Sequence, residues 1–368
     1  MDNRDTTFYC PTKVYFRKNG LSTIGDIIAQ DYHFKKVYLI YARHMILTNE
    51  KQVIVDSLKR NGIEFIESTD ISANPDVSCV IELIENARKF NPELILACGG
   101  GSVMDVGKSL ANAYFYDGNP IDFNKKTVKP LHALPVATIP TLSSSGSQMS
   151  DSCVISDIKT HFKGGFNSET NRPLFTLLDP TLCYSAPKHE IAIGLVDMFS
   201  HTLERYLSPS PYNEPCDGVA LQVLREIMDN SKRVLDDPCD YDGQRSLMIL
   251  STYAHNGFTS FGKQFMFRIH LAEHIISGRY PNIPHGQGIA LLIPVFLSVN
   301  SKVLEEKIRR MGQDMFGFSH QSPDCCEKTM KALNEWLDNL PIIHTFKHYT
   351  GTDELPCKKE VMKVIVLR

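Results

Sequence analysis

Short apolar runs alternate with amphipathic stretches in the first half of this chain. The runs lie at Lys36–Tyr41, Glu93–Cys98 and Leu134–Ile139, and the first of them is rich in β-branched and aromatic residues, as strands are. Stretches with helical periodicity, near Asn49–Asn61 and Cys79–Phe90, separate the first two runs. This alternation of strand and helix predicts an α/β domain, in which helices cover the faces of a parallel sheet.

The pattern changes near Ala186, after which strand-like runs become rare and helical periodicity dominates. Helices are predicted at Glu190–Leu207, Gly218–Leu235, Gln244–Phe258, Lys263–Ser277, His285–Ser298 and Ser322–Leu337. A chain of 368 residues is also too long for one ordinary core. We therefore predict two domains, an α/β domain at residues 1–186 and an all-α domain at residues 187–368.

Composition narrows the classes of function. Hydrophobic residues make up 42% and charged residues 22% of the chain, which is typical of a soluble globular protein. The net charge of −3 provides neither the basic surface of a nucleic-acid-binding protein nor a polybasic membrane patch. The longest apolar run, Gly288–Leu297, is too short to cross a bilayer. We therefore expect no nucleic-acid partner and no membrane partner.

The cysteines and the first residues indicate the compartment. Ten cysteines are scattered without a repeating framework, and no Cys-x-x-Cys occurs. In a chain of this size, that pattern is typical of reduced thiols. The charged segment Met1–Asp5 is not followed by the apolar stretch of a secretory signal. We therefore expect a cytoplasmic protein.

A glycine-rich turn follows the second apolar run. Gly99–Gly101 allow the backbone to approach a ligand closely, and the helix predicted from Ser102 would direct free N–H groups toward a pyrophosphate. Ser102 and Asp105 also fit a capping box, so a well-capped turn that binds nothing explains the same residues. The serine-rich loop Ser143–Ser147 follows the next strand and either lies on the surface or closes over the same phosphates.

Five side chains that commonly bind metals lie in two short windows of the helical half. Asp197 and His201 are four residues apart and share one face of a helix, as do His270 and His274. His285 follows in a Pro-His-Gly segment. One carboxylate with three imidazoles suits Fe²⁺ or Zn²⁺. The spacing does not select four ligands from the five donors, and histidines without a metal are the alternative.

These segments, in this order, resemble the iron-containing (group III) alcohol dehydrogenases. The matching segments are Gly99–Lys108, Ile139–Thr141, Ser145–Ser147, Leu178–Pro180, Gly194–Asp197 with His201, His270 with His274, and Pro284–Gly286. The resemblance implies a Rossmann-like N-terminal domain and an all-α C-terminal domain, the dehydroquinate synthase-like architecture. It also implies a metal-dependent alcohol dehydrogenase or aldehyde reductase, which uses NAD or NADP and an alcohol or aldehyde substrate.

The resemblance implies residue roles, position by position. The residues that match the metal ligands are Asp197, His201, His270 and His285. His274 matches the histidine that lies beside the nicotinamide and the substrate without binding the metal. The residues that match the pyrophosphate loop are Gly100, Gly101 and Ser102. Other positions that contact the cofactor in this family correspond to Thr141, Ser145 and Lys163.

Two positions depart from the family pattern. His274 and His285 are separated by one residue more than is usual, which predicts a bulged loop at Arg279–Ile283. Gln148 stands where the family usually has a glutamate after the second loop, so one carboxylate near the site is missing. Both departures bear on the identity of the substrate more than on the chemistry.

The end of the first predicted strand bears on the choice of cofactor. Ala42 stands where NAD-preferring members carry an aspartate for the ribose hydroxyls, and Arg43 follows. Loss of that carboxylate removes repulsion toward a 2′-phosphate, and a nearby arginine can pair with the phosphate. We expect a preference for NADP over NAD. The alternative is that Arg43 is a solvated residue at the start of a helix.

Other functions and assemblies fit the same sequence. A polyol or sugar-phosphate dehydrogenase of this fold would use fewer histidines and more basic residues, for which Arg268 and Arg279 are candidates. A catalytically silent cofactor-binding protein would lack one or more ligands, and none of the four is missing. The early apolar segment Lys13–Phe16 could pair with its equivalent across a homodimer.

Overall fold

A computed structural model of the chain describes residues 6–208, 214–352, 355 and 357–367. These residues fall into two units. One unit comprises Cys10–Ala186. The other begins at Pro187 and also includes residues 6–9, although these precede the first unit in sequence.

Residues 6–9 belong to the second unit through two kinds of contact. The ring of Phe8 lies 5.8 Å from the rings of both Phe258 and Phe261. The backbone N–H of Gly262 donates a hydrogen bond to Thr6 Oγ1 at 3.0 Å. Edge-on aromatic contacts of this kind stabilise packing beyond the apolar area that they bury.

A parallel sheet of six strands forms the centre of the first unit. The strands of this unit are β1 Lys13–Phe16, β2 Lys36–Tyr41, β3 Glu64–Ser68, β4 Leu94–Gly99, β5 Val136–Pro140, β6 Ser152–Asp157, β7 Phe162–Asn167 and β8 Phe175–Leu178. The order in the sheet is β1-β8-β5-β4-β2-β3, with each neighbouring pair parallel. The predicted α/β domain with a parallel sheet is confirmed, and the three predicted strands correspond to β2, β4 and β5.

Helices cover both faces of the sheet. They are α1 Ile24–Asp26, α2 His44–Leu47, α3 Glu50–Arg60, α4 Val77–Phe90, α5 Gly101–Ala113 and α6 Ile121–Asn124. Tyr38 and Ile40 of β2 pack in one core with residues of α4 and α5, whereas Val37 and Leu39 pack in a second core with residues of α3. Successive side chains of a strand point to opposite faces, so a strand between two helical layers is apolar throughout.

Strands β6 and β7 form a separate antiparallel hairpin. The sequence pattern did not predict β3, β7 or β8. Charged side chains interrupt β3, and two adjacent glycines interrupt β7, so neither segment has the apolar pattern of a buried strand.

The carboxyl ends of β2, β4 and β5 meet at one edge of the sheet. In the register of the sheet, Tyr41 pairs with Cys98, and Gly99 pairs with Pro140. The residues that follow the three strands are therefore neighbours: Ala42, the glycine turn and Thr141. Ligands of open parallel sheets bind at this edge.

The capping box predicted for Ser102 and Asp105 is wrong. Helix α5 begins at Gly101, and no side chain caps its first turn. The carboxylate of Asp105 instead accepts hydrogen bonds from Ser147 Oγ at 2.7 Å and from the backbone N–H of Val154 at 3.0 Å. Asp105 therefore anchors the serine-rich loop and β6, which are distant in sequence, and the local spacing does not reveal this role.

All the regular secondary structure in the described residues of the second unit is helical. Its helices are α7 Lys188–Leu207, α8 Glu214–Asp236, α9 Tyr241–His255, α10 Arg268–Arg279, α11 His285–Asn300, α12 Glu305–Phe316, α13 Cys325–Asp338, α14 Lys347–Thr350 and α15 Lys358–Ile365. The predicted all-α domain is confirmed. Among the described helices of the chain, none is both long and apolar enough to cross a membrane.

Helices α10 and α12 depart from the sequence prediction. Helix α10 begins at Arg268 rather than at Lys263, because the carboxylate of Glu204 accepts hydrogen bonds from the N–H groups at its start. Helix α12 was not predicted, because charged residues dominate it and its buried side chains form a narrow stripe. At the place of the predicted loop between α10 and α11, Ile283 N–H closes a turn on Tyr280 O at 3.0 Å.

All ten cysteines are free thiols. Burial raises the pKa of Cys98 and of Cys153 well above the ordinary thiol value, and burial raises that of Cys183 to about 12. Because the thiolate is the reactive form, these buried thiols are chemically quiet near neutral pH.

Candidate metal centre and cofactor-binding turn

Helix α7 presents Asp197 and His201 on one face. Every residue of this helix from Ile191 to Leu207 is buried. The side chains of Asp197 and His201 are only 5% and 7% exposed, and Asp197 Oδ1 lies 3.5 Å from His201 Nδ1. The spacing of four residues brings the two side chains together as the sequence predicted.

Two further imidazoles face the same carboxylate oxygen. His270, near the start of α10, places Nε2 3.5 Å from Asp197 Oδ1, and His285, the first residue of α11, places Nε2 3.8 Å from it. Three helices therefore direct three imidazole nitrogens at one oxygen atom. The His285 side chain is 26% exposed, so this side of the cluster is the one that solvent reaches.

The donor set fits a divalent metal ion. The Nδ1 atom of His201 and the Nε2 atom of His270 are buried and make no hydrogen bond with any described residue. Buried polar atoms without partners are costly, and a shared cation satisfies several of them together. Two atoms that each lie about 2.1 Å from one tetrahedral ion are about 3.4 Å apart. The observed separations of 3.5 to 3.8 Å from Asp197 Oδ1 are close to that value.

The charges around the two buried histidines differ. Burial and the neighbouring His255 lower the pKa of His201 well below its usual value, so its ring stays neutral and keeps a lone pair. Burial alone would lower the pKa of His270, but the carboxylates of Glu204 and Asp197 raise it to about 9. Carboxylates that hold a proton on His270 in the absence of a metal also favour a metal cation at this place.

His274 lies one helical turn after His270, on the rim of the cluster. Its ring centroid is 5.4 Å from that of His285, and the residue is half-buried. Its ring nitrogens group with the donor atoms of His285 and Glu273, whereas the donors that group with Asp197 are those of His201 and His270. His285 belongs to the same group as His274, and the 3.8 Å between His285 Nε2 and Asp197 Oδ1 also connects His285 with the donors around Asp197.

Two carboxylates contact the histidines and were missed from the sequence. The carboxylate of Glu204 on α7 accepts a hydrogen bond from Nδ1 of His270, and that of Glu273 on α10 accepts one from Nδ1 of His285. Glu273 precedes His274 directly, and Glu204 lies three residues after His201, so both glutamates are close in sequence to residues that were predicted to belong to the site. No local signal connects Glu204 with His270, which is 66 residues away.

Two glycines after His285 make this packing possible. A Cβ atom on Gly286 would lie 2.1 Å from the carbonyl oxygen of Ile193 on α7. A Cβ atom on Gly288 would lie 2.8 Å from Cγ of Glu273. The segment Pro-His-Gly-Gln-Gly therefore lets α11 approach α7 closely and leaves room for a buried carboxylate beside α10.

The glycine turn lies directly against the other loops at its edge of the sheet. A Cβ atom on Gly99 would lie 2.8 Å from Val103 and 3.0 Å from Cβ of Ala42. A Cβ atom on Gly101 would lie 2.6 Å from Ser145 Oγ. The backbone N–H of Thr141 donates to Gly99 O at 3.2 Å. The structure therefore brings together Ala42, Thr141, Ser145 and the glycine turn.

Gly100 differs from its two neighbours. A Cβ atom added to Gly100 would meet nothing within 4 Å, and its φ of −75° is open to any residue. The fold therefore does not require glycine here. Open space above a helix start is what a pyrophosphate needs in order to approach the backbone.

The remaining cofactor candidates lie in different surroundings. Ser102 lies in the first turn of α5. Lys163, on β7, is buried and donates to Asn74 Oδ1 at 2.8 Å, so its described hydrogen bond lies outside the glycine turn. Arg43 is exposed, and its guanidinium lies 3.4 Å from the Asp70 carboxylate.

Comparison with known proteins matches both units. A family model described as iron-containing alcohol dehydrogenase matches residues 11–180, and a model of the C-terminal region of the same family matches residues 191–361. The NADH-dependent butanol dehydrogenase A of Clostridium acetobutylicum is 34% identical over 339 residues, which are 90% of this chain and 86% of that protein. The chain belongs to the iron-containing alcohol dehydrogenase family. The predicted family and the predicted class, a nicotinamide-linked oxidoreductase that acts on CH–OH groups, are confirmed.

Other members of the family differ in their cofactor. The crystal structure of an NADH-dependent butanol dehydrogenase A from Thermotoga maritima matches with a TM-score of 0.92 at 28% identity and covers 98% of this chain and 90% of that one. The NADPH-dependent aldehyde reductase YqhD of Escherichia coli is 26% identical over 86% of this chain and 81% of that protein. Similarity to the iron-containing alcohol dehydrogenases thus supports NAD(P) and Fe²⁺ but leaves NAD against NADP undecided.

We expect Gly100→Ala to separate cofactor binding from folding. Thermal stability should not fall, because the added methyl group meets no atom within 4 Å. The dissociation constant for NAD(P)H should rise by roughly tenfold, since overpacking against a ligand costs on the order of 1–3 kcal/mol. Fluorescence titration and calorimetry measure the two effects.

A matched control is Gly218→Ala in α8, where an added Cβ also meets nothing within 4 Å. This variant should bind the cofactor normally and be slightly more stable, because alanine favours a helix interior over glycine. If Gly100→Ala binds NAD(P)H as tightly as the unmodified chain, the pyrophosphate does not lie on this turn.

Proposed function

We propose that this chain is a cytoplasmic alcohol dehydrogenase and aldehyde reductase whose Fe²⁺ or Zn²⁺ is held by Asp197, His201, His270 and His285. One observation carries the proposal: three imidazole nitrogens lie 3.5 to 3.8 Å from the same buried carboxylate oxygen. The substrate is a small alcohol or aldehyde, and hydride passes between its carbon and C4 of the nicotinamide. Free thiols throughout the chain suit the reducing cytoplasm.

The residues of the helical unit divide the chemistry. A divalent ion, when bound, supplies Lewis acidity to the substrate oxygen. Asp197 contributes the only carboxylate among the four donors, and His201 and His270 enclose it from the buried side. His285 lies on the exposed side, where a substrate can approach. His274 lies beside His285 and can relay the alcohol proton outward, because histidine exchanges protons near neutral pH.

Two rival functions are less well supported. Arg268, a candidate for binding a phosphorylated substrate, donates to the carbonyl oxygens of Val364 and Val366. Arg279, the other candidate, is paired with Glu360 at 2.7 Å. Both arginines thus contact α15 or the residue that follows it. A silent cofactor-binding protein would have no need to keep all four donors.

We expect Asp197→Ala to lose metal and turnover together. Removal of the oxygen that three imidazoles share should lower metal content to well under one ion per chain, with loss of alcohol oxidation and aldehyde reduction. Metal analysis of the purified protein measures the first effect, and an assay over a panel of plain and phosphorylated aldehydes measures the second.

The matched variant is His274→Ala, which should retain the metal while its turnover falls by roughly 10²-fold or more, the usual contribution of a general acid–base group. An Asp197→Ala protein that keeps a full complement of metal would refute the ligand assignment. Activity on phosphorylated aldehydes alone would instead support the rival sugar-phosphate enzyme.

We further propose a preference for NADP over NAD. Ala42, at the end of β2, provides no carboxylate for ribose hydroxyls and lies in contact range of Gly99 in the glycine turn. Arg43 is exposed, and its guanidinium forms a solvent-exposed ion pair with Asp70. Such pairs contribute little free energy, so the guanidinium can turn to a 2′-phosphate at small cost.

Arg43→Ala should lower kcat/KM for NADPH by roughly tenfold, the effect of one charge-assisted contact, and leave kcat/KM for NADH nearly unchanged. Asp70→Asn should raise the NADPH value, because Arg43 loses its competing partner. Lys89→Ala removes a positive charge elsewhere in the same unit and should change neither value. Equal losses with both cofactors, or a native preference for NADH, would contradict the proposal.

We also propose that two chains pair through β1. This strand lies at the edge of the sheet and is bonded to β8 on one side. The N–H groups of Lys13 and Arg17 point toward β8, so the alternating N–H groups of Val14 and Phe16 point away from it. An edge strand with outward N–H groups is a template for pairing with a second copy.

Val14→Pro should weaken the dimer without disturbing the bonds to β8, because it removes one outward N–H group. Light scattering on the unmodified chain should give twice the 41.5 kDa mass of one chain, and the variant should shift toward a single chain. An unmodified chain that is monomeric at micromolar concentration would contradict this assembly.

A further inference from the structure

Two of the histidines that face Asp197 are each held from behind by a buried carboxylate. Glu204 bonds Nδ1 of His270, and Glu273 bonds Nδ1 of His285. Both glutamates are fully enclosed by the helical unit. An isolated carboxylate in such surroundings is strongly unfavourable unless charged or polar partners offset its loss of water. The hydrogen bond to the imidazole therefore offsets part of the free-energy cost of burying each glutamate.

The pairing fixes which ring nitrogen is available. A carboxylate accepts a hydrogen bond from a nitrogen that carries a proton, so Nδ1 of each ring donates the hydrogen bond, and Nε2 is the atom through which the ring can bind a metal ion. Nε2 is the atom that faces Asp197 Oδ1, at 3.5 Å in His270 and 3.8 Å in His285. The two carboxylates thus orient both rings so that Nε2 of each faces Asp197 Oδ1.

Glu204 also joins two of the helices that form the cluster. It lies on α7, two turns after Asp197, and accepts hydrogen bonds from the N–H groups of Ile269 at 2.6 Å and His270 at 3.3 Å. These N–H groups lie in the first turn of α10, where no partner within the helix exists. Glu204 therefore fixes the start of α10 and the ring of His270 with one side chain.

Glu273 performs the equivalent task between α10 and α11. Its carboxylate bonds the ring of the first residue of α11, His285. The space that it occupies exists because residue 288 is glycine. His201 has no such support: its Nδ1 atom makes no hydrogen bond, and its ring packs against the His255 ring at 4.0 Å.

We propose that Glu204 and Glu273 are positioning residues that set the tautomer, orientation and basicity of His270 and His285 for metal binding. The inference rests on the proposed metal centre and extends it to residues that do not touch the ion. Carboxylates behind metal-bound histidines raise ligand basicity, and their loss commonly weakens metal affinity by roughly 10- to 100-fold. A competing assignment makes Glu273 itself a ligand of a second ion with His274 and His285, whose donor atoms are also close together.

The decisive variant is Glu273→Gln in the full chain. The glutamine oxygen can still accept the Nδ1 proton, but the negative charge is gone. We expect the dissociation constant for Co²⁺ or Zn²⁺, measured by chelator competition on metal-free protein, to rise by roughly 10- to 100-fold. The Co²⁺ absorption bands should change while the melting temperature of the metal-free protein stays nearly constant. A purely structural role would lower the melting temperature and leave the metal constant unchanged in the folded fraction.

Glu204→Gln and Glu190→Gln complete the set. The amide group of Glu204→Gln would direct N–H donors at the N–H donors of α10, so this variant should lose both metal affinity and metal-free stability. Glu190 is an exposed glutamate of the same helix α7, and its replacement should change neither property.

Three outcomes would overturn the inference. Unchanged metal affinity in Glu273→Gln, with Asp197→Ala still losing the ion, would overturn this inference alone. Two ions per unmodified chain and one in Glu273→Gln would make Glu273 a ligand and likewise overturn it. An unmodified chain that binds neither Co²⁺ nor Zn²⁺ at micromolar concentration would overturn the proposed function as well.

Discussion

The convergence of three imidazoles on one carboxylate oxygen is the constraint on which the helical unit depends. Asp197 Oδ1 can face His201, His270 and His285 only if α7, α10 and α11 approach closely and in fixed rotation. Close approach of α11 requires glycine at position 286, because any side chain there would collide with the α7 backbone. Correct rotation of α10 requires a cap from α7, which Glu204 provides. The polar centre therefore dictates the packing around it, instead of filling a space that packing left.

Such a centre is expensive for folding. Buried imidazoles and carboxylates lose water, and the mutual hydrogen bonds of Glu204 and Glu273 with two histidines offset only part of that loss. Nδ1 of His201 and Nε2 of His270 stay without hydrogen bonds. Apolar packing elsewhere in the unit must supply the difference, and α7 is buried over almost its whole length. Protein interiors retain arrangements of this kind where function requires them, since an apolar core of the same volume would be more stable.

The sequence predicted those features that depend on helical spacing or on a short run of neighbouring residues. Helical spacing put Asp197 and His201 on one face, and apolar runs located β2, β4 and β5. Prediction from the sequence failed where contacts join distant segments. Asp105 looked like a local cap but binds the serine-rich loop, and Glu204 caps a helix that begins 64 residues later. The choice of four ligands from five donors came from family resemblance, because spacing treats His270 and His274 alike while their surroundings differ.

Gly99 and Gly100, at the start of the cofactor turn, are glycine for different reasons: the fold requires the first, and ligand binding explains the second. Gly99 is needed by the fold, because a methyl group there would collide with Val103 and Ala42. Gly100 is not needed by the fold, because the space beside it is open. A protein that only had to fold would gain stability from a larger residue at this second position, since glycine costs conformational entropy. Glycine at position 100 is therefore explained by the approach of a ligand. Glycine at position 99 is explained by the close packing of the turn against Val103 and Ala42.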